Sequence, residues 1–272
     1  MCMIVLVVIG ILAGLTTVLF GFGGGFVTVP VIVWADSALA AGAAEVAVAT
    51  SAVVMVVNAA VATMATPRAV LARLRSAVAL IALLGCGGVL GAGLARLAPP
   101  HLAMWGFVLY LAVTITDVLA RPGFLRRPTM IEGSLSDFAI SPLLGVPIGA
   151  VASFLGVGGS VMTVPLLRRS GQPMSMATAL ANPLTLAISV SALAVFLTGT
   201  SAAADDPYVI GAVDVRSAAA LLVGALPIVV WLRRHPPRLS DVAHAWAYVA
   251  LLIISALAMV LSPGVLSSDF TC

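Results

Sequence analysis

One segment of this chain is written twice. Gly21-Phe22-Gly23-Gly24-Gly25-Phe26-Val27-Thr28-Val29-Pro30 and Gly156-Val157-Gly158-Gly159-Ser160-Val161-Met162-Thr163-Val164-Pro165 start 135 positions apart, one in each half of 272 residues. Each copy follows an apolar stretch and interrupts it with glycines. Glycine lacks a Cβ, tolerates positive φ and lets backbones approach closely, so each copy can unwind a helix and restart it. Paired, glycine-interrupted hydrophobic segments at matching places in two halves point to the substrate site of a secondary transporter.

Composition places that segment in a membrane. Hydrophobic residues make up 62% of the chain and charged residues 8%, whereas a soluble domain carries about a quarter charged residues. Residues 1–35, 46–66, 76–95, 138–167, 170–204, 217–232 and 242–268 contain no Asp, Glu, Lys or Arg. A helical span needs roughly 20 apolar residues, so the fold class is an all-α, polytopic membrane bundle. The N-terminal apolar run lacks a basic lead and continues into the glycine motif, so it reads as a retained helix. Cys2, Cys86 and Cys272 are scattered without metal-ligand spacing. All 13 basic residues are arginines in or beside short loops, a pattern of membrane topology rather than of nucleic-acid binding.

The apolar segments are 3–20, 46–66, 76–96, 102–120, 137–155, 176–198, 216–232 and 242–262. The pieces after the glycines, 24–35 and 159–167, extend about 18 and 14 Å at 1.5 Å per residue. Both fall short of a hydrocarbon core of ~30 Å, so each is expected to be a half-helix paired with the segment before it. If each half is one such re-entrant unit plus three full spans, loops 67–75, 121–136, 168–175 and 233–241 share a side. That side then collects 11 of the 13 arginines, and both termini lie outside. The expected organisation is two inverted repeats, 1–125 and 126–272, within one membrane domain. Arg75-Ser76-Ala77 echoes Arg216-Ser217-Ala218, and Ala13-Gly14 matches Ile148-Gly149.

A restarted half-helix exposes backbone N–H groups and its positive dipole end, a ready site for an anion. The candidate substrate residues are therefore Gly23, Gly24, Gly25 and Thr28 in the first copy, and Gly158, Gly159, Ser160 and Thr163 in the second. Thr50 and Ser51 on the next span, and Asn182 and Pro183 in the second half, add polar groups near a helix break. Asn58, Ser189 and Ser191 are weaker members of the set. The competing explanations are close helix packing for the glycines and hydroxyls bonded to their own helix carbonyls. Glu45 is the one obvious carboxylate for ion coupling. No nucleophile–base set, phosphate-binding loop or metal motif is present, so neither an enzyme nor a cofactor is expected.

These residues resemble the sulfite exporter TauE/SafE family of membrane permeases. The resemblance rests on the doubled glycine motif, on Ala49-Thr50-Ser51, and on Gly211-Ala212-Val213-Asp214 before the penultimate span. It implies two related helical halves and passage of a small sulfur anion such as sulfite, sulfoacetate or another organosulfonate. Ser160 in place of a third glycine, and Asn182-Pro183 where Thr-Ser is usual, depart from the pattern. Export of an anion needs no ATP, because an inside-negative potential contributes roughly 2.3 kcal/mol per charge per 100 mV. The expected partners are the bilayer of a cell membrane and the anion, with homodimer formation left open. A proton- or sodium-coupled carrier of another solute, and a non-transporting membrane subunit, are the alternatives.

Overall fold

The computed structural model describes residues 3–28, 43–121, 123–125, 140–198, 208–235, 237 and 239–261. The boundary between residues 125 and 126, most of the expected half-helix 24–35 with Pro30, and the carboxylates Asp36, Asp205, Asp206 and Asp269 lie outside them. Ten α-helices occur among the described elements: α1 (Met3–Phe20), α2 (Ala43–Met64), α3 (Arg68–Leu71), α4 (Val78–Leu97), α5 (Pro100–Ala120), α6 (Gly145–Phe154), α7 (Ser160–Arg169), α8 (Met174–Leu197), α9 (Val215–Arg234) and α10 (Asp241–Val260). A 3-10 stretch, Ala72–Ala77, joins α3 to α4, and a short hairpin of β1 (Val209–Ile210) and β2 (Val213–Asp214) precedes α9.

Helices dominate because backbone polar groups in hydrocarbon must be satisfied within their own segment. Their ends follow local chemistry. Proline at the first position starts α5. The Asp214 carboxylate accepts from the Arg216 and Ser217 amides at 2.9 and 3.2 Å to cap α9, and Ser240 caps α10. Seven helical runs among the described residues are long and apolar enough to cross a membrane. The helix expected within 137–155 is shorter, running with its leading 3-10 turn from Pro142 to Phe154. At ten residues, α7 rises only about 15 Å.

The distribution of polarity suits a lipid solvent. Ile4, Leu12, Leu94, Leu109, Val223 and Ile254 face outward, while Thr28, Thr50, Ser51, Asn58, Ser160, Thr163, Asn182 and Thr185 are buried. Helix contacts pair distant parts of the sequence. α1 packs on α9, α4 packs on α6 and α8, α2 packs on α8 and α9, and α5 packs on α10. Glycines permit the two closest of these crossings. A Cβ on Gly10 or Gly14 would collide with the backbone of Leu221 or Ala225, and one on Gly149 would collide with Leu84. A Cβ on Gly145 would stand 3.0 Å from the Leu80 carbonyl. Gly145 and Gly149 follow Gly10 and Gly14 by the same 135 positions as the glycine motif. Their partners Leu80 and Leu84 precede Leu221 and Ala225 by 141, the spacing of the Arg-Ser-Ala echo.

The α6–α7 pair starts and finishes at one end of the bundle. α6 begins against Leu80 and Leu83, near the start of α4. α7 ends at Arg168 and Arg169, and the following Gln172 accepts from Arg73 Nη1 at 3.1 Å. Arg168 pairs with Asp241 and donates to the Phe124 carbonyl at 3.0 Å. Arg169 pairs with Asp117 at 2.6 Å, and Asp117 also holds Arg121 at 3.0 Å. The turn between α6 and α7 is therefore carried into the interior, and that turn is the second glycine motif.

Candidate functional site

Both glycine motifs break their helices by the same backbone device. Gly21 and Gly23 have φ of +76° and +67°, and Gly156 and Gly158 have +66° and +72°. These values forbid an ordinary side chain at little cost, which explains glycine at each. In the first copy the chain becomes helical again over residues 25–28, with the Val27 and Thr28 amides on the Gly24 carbonyl. In the second, the Met162 and Thr163 amides bond the Gly159 carbonyl at 3.2 and 3.0 Å and α7 follows. The Ser160 and Val161 amides that open α7 have no partner within the helix.

The two breaks lie side by side. A Cβ on Gly23 would stand 3.1 Å from Thr185 Cγ2 and 3.3 Å from Met55 Cγ. One on Gly158 would stand 3.0 Å from the same Thr185 methyl and 3.2 Å from Met55 Sδ. One on Gly25 would come within 2.6 Å of the Gly156 carbonyl. Met55 on α2 and Thr185 on α8 are thus wedged against both motifs. Thr185 Oγ1 reaches the Gly21 carbonyl at 3.5 Å, the outer limit of a hydrogen bond, and Ser51 Oγ lies 3.5 Å from the Gly156 carbonyl while donating to the Val48 carbonyl of its own helix at 2.7 Å. Those carbonyls occupy matching positions of the repeat.

Several buried polar atoms beside the breaks have no partner: Ser160 Oγ, Thr163 Oγ1, Asn58 Oδ1 and Asn182 Oδ1. Asn58 Nδ2 donates to the Gly23 carbonyl at 3.4 Å, and Asn182 Nδ2 to the Thr178 carbonyl at 3.1 Å. Leaving such groups unmade costs ~1–3 kcal/mol each, a cost that a ligand or water would relieve. Thr28 differs, because its hydroxyl donates to the Gly25 carbonyl at 3.2 Å. Aromatic side chains pack beside this region. Phe22 stacks on Phe26 at 4.7 Å and meets Tyr248 at 5.3 Å, and Tyr248 donates to the Val161 carbonyl at 3.0 Å.

Not every expected residue joins the group. Thr50 Oγ1 accepts from the Asp214 amide at 3.0 Å and so fastens the β-hairpin to α2. Glu45 pairs with Arg96 at 3.5 Å, near the end of α4. Pro183 sits inside α8. The segments that form the breaks, 1–35 and 138–167, carry no charged side chain. A groove of about 800 Å³ opens between α5 and the α6–α7 pair, among Leu94, Leu102, Leu109, Phe154, Leu155 and Met162; it abuts the second break, but its apolar wall suits lipid tails rather than an anion.

A family model described as Sulfite exporter TauE/SafE matches residues 6–259, nearly the whole chain. The chain belongs to that family. It is accordingly a multi-pass membrane protein of a transporter family. No curated protein and no solved structure matches it. Sequence reading of this TauE/SafE chain passed over Thr185, Met55 and Tyr248. Thr185 had a faint signal, a hydroxyl one helical turn after Asn182; Met55 and Tyr248 had none, since either is ordinary in an apolar core.

Proposed function

We propose that this chain is a permease for a small oxyanion, held where the two glycine breaks meet. The observation that carries the reading is the start of α7. Two fully buried hydroxyls, Ser160 and Thr163, lack partners there, beside first-turn N–H groups that a helix leaves free. An anion would accept from all of them. Family membership makes sulfite, sulfoacetate or a related organosulfonate the first substrates to try, with export driven by an inside-negative potential.

In this reading the halves 1–125 and 126–272 are inverted repeats, each a re-entrant unit plus three full spans, with both termini outside a cell membrane. The matched glycine crossings of α1 on α9 and α6 on α4 support it. Gly23, Gly24 and Gly25 with Asn182 form one wall, and Gly158 and Gly159 with Ser51 the other. Coupling through Glu45 is disfavoured by its pairing with Arg96.

The test is transport by purified protein in proteoliposomes, with sulfite and small sulfonates as substrates. Uptake or release of an anion by the protein alone excludes a non-transporting subunit. Gly24→Leu and Gly159→Leu should abolish that flux while the protein still inserts. Normal transport by both variants would remove the breaks as the substrate site.

A further inference from the structure

The unpartnered atoms beside the breaks are of two kinds, and the distinction bears on substrate chemistry. Ser160 Oγ and Thr163 Oγ1 are hydroxyls that can donate to an anion's oxygens. Asn58 Oδ1 and Asn182 Oδ1 are amide oxygens, which only accept. Their orientation follows from their neighbours. Each amide faces a backbone carbonyl, of Gly23 or of Thr178, and a carbonyl takes only a donor. The NH2 must therefore point at the carbonyl, leaving the oxygen as the free atom.

Both asparagines are fully buried and adjoin the first motif. A Cβ on Gly24 would stand 3.0 Å from Asn58 Nδ2, and one on Gly21 2.8 Å from the Thr178 carbonyl to which Asn182 Nδ2 donates. An anion with nothing but acceptor oxygens satisfies the hydroxyls and leaves these two oxygens bare, or facing its own negative charge. An anion that retains a hydrogen on oxygen or nitrogen satisfies both kinds. Charge points the same way. The nearest arginine along α7 is Arg168, about 12 Å of helix from Ser160, and it is already paired with Asp241. Desolvation penalises a dianion roughly four times as much as a monoanion of equal size, since the cost grows with the square of the charge.

We infer that the substrate of this site is a singly charged oxyanion carrying a hydrogen-bond donor, such as a protonated oxyacid anion or a hydroxysulfonate. The inference rests on the anion reading above and narrows it. Asn58 and Asn182 are its specificity determinants.

Two probes isolate the donor. Sulfamate and methanesulfonate are both tetrahedral monoanions of nearly equal size, differing by an NH2 where the other has a CH3. Sulfate adds a second charge and has no donor. Ligand-induced shifts in Tm of the purified full chain give apparent affinities for each by mass action. Sulfamate is expected to bind about 10- to 100-fold more tightly than methanesulfonate, the usual penalty range for a buried group left unpaired, and sulfate more weakly than sulfamate. Asn58→Ala and Asn182→Ala should narrow the sulfamate preference while leaving methanesulfonate binding nearly unchanged. If either variant does not fold, the wild-type ratio still decides. Equal affinities, or a preference for methanesulfonate or sulfate, would overturn the donor requirement and leave the anion reading standing. Stabilisation by none of the three would overturn the anion reading and this inference with it.

Discussion

The two glycine breaks share their turn geometry and part company where the helix restarts. Gly24 holds φ of +97°, whereas its counterpart Gly159 is right-handed at −74°. Gly25 has no room for a side chain, because a Cβ there would strike Met55 and stand 2.6 Å from the Gly156 carbonyl. Its counterpart is Ser160, whose hydroxyl is buried and unpartnered. Thr28 turns its hydroxyl onto the Gly25 carbonyl, while the matching Thr163 leaves its own free. The first motif brings backbones together; the second presents hydrogen-bond donors. In the proposed site the duplicated sequence is divided between close packing and ligand recognition, and substitutions can test that division.

The largest expected effect concerns how the second unit is anchored. Arg168 has no exposed side-chain surface and pairs with Asp241, which also accepts from the Met174 amide at 2.8 Å. Asp241→Asn should cost about 3 kcal/mol or more in thermal unfolding, because it strands a buried guanidinium. The neighbouring pair of Arg169 with Asp117 is partly exposed, and Arg169→Leu should cost nearer ~1 kcal/mol. Equal small losses would mean that α7 is not held by its arginine end.

Exchanging the two restart residues comes next. Gly25→Ser should destabilise by about 1–3 kcal/mol through overpacking and reduce transport. The reverse change, Ser160→Gly, should alter stability by only a few tenths of a kcal/mol but weaken anion binding about tenfold, the scale of one charge-assisted hydrogen bond. Similar behaviour of the two variants in melting and in ligand titration would erase the proposed division. A gentler pair follows. Thr163→Val should weaken binding several-fold, whereas Thr28→Val should leave the affinity for sulfamate nearly unchanged, since that hydroxyl is already occupied.

Much of this architecture could be read from the residues, and the exceptions have physical reasons. The spacing of the glycine motifs, carried backward, also relates Gly10 to Gly145 and Gly14 to Gly149, which make the matching close crossings. Glycines are legible because their backbone demands are specific. Thr185 was not legible, because apolar spans without charges look alike in several registers. Asn182-Pro183 thus falls beside Thr50-Ser51 in one register, while the 135-residue spacing of the glycine motif sets Thr50 against Thr185. Thr50 was equally opaque, since its partner Asp214 is 164 positions away. The role of Met55 depends on two backbones meeting, which no local pattern records.

The smallest expected effect separates the glycine breaks from the one carboxylate that the sequence offered for coupling. Glu45 opens α2 and meets Arg96 at 3.5 Å, with both side chains partly exposed. A partly exposed pair contributes at most ~1 kcal/mol, so Glu45→Gln should scarcely move Tm. It should also leave the pH and sodium dependence of flux as in the unmodified protein, because the variant does not change the polar groups at the breaks. A lost or shifted ion dependence in proteoliposomes would instead place a coupling ion at the mouth of α2. The division of labour would then be among three places rather than two.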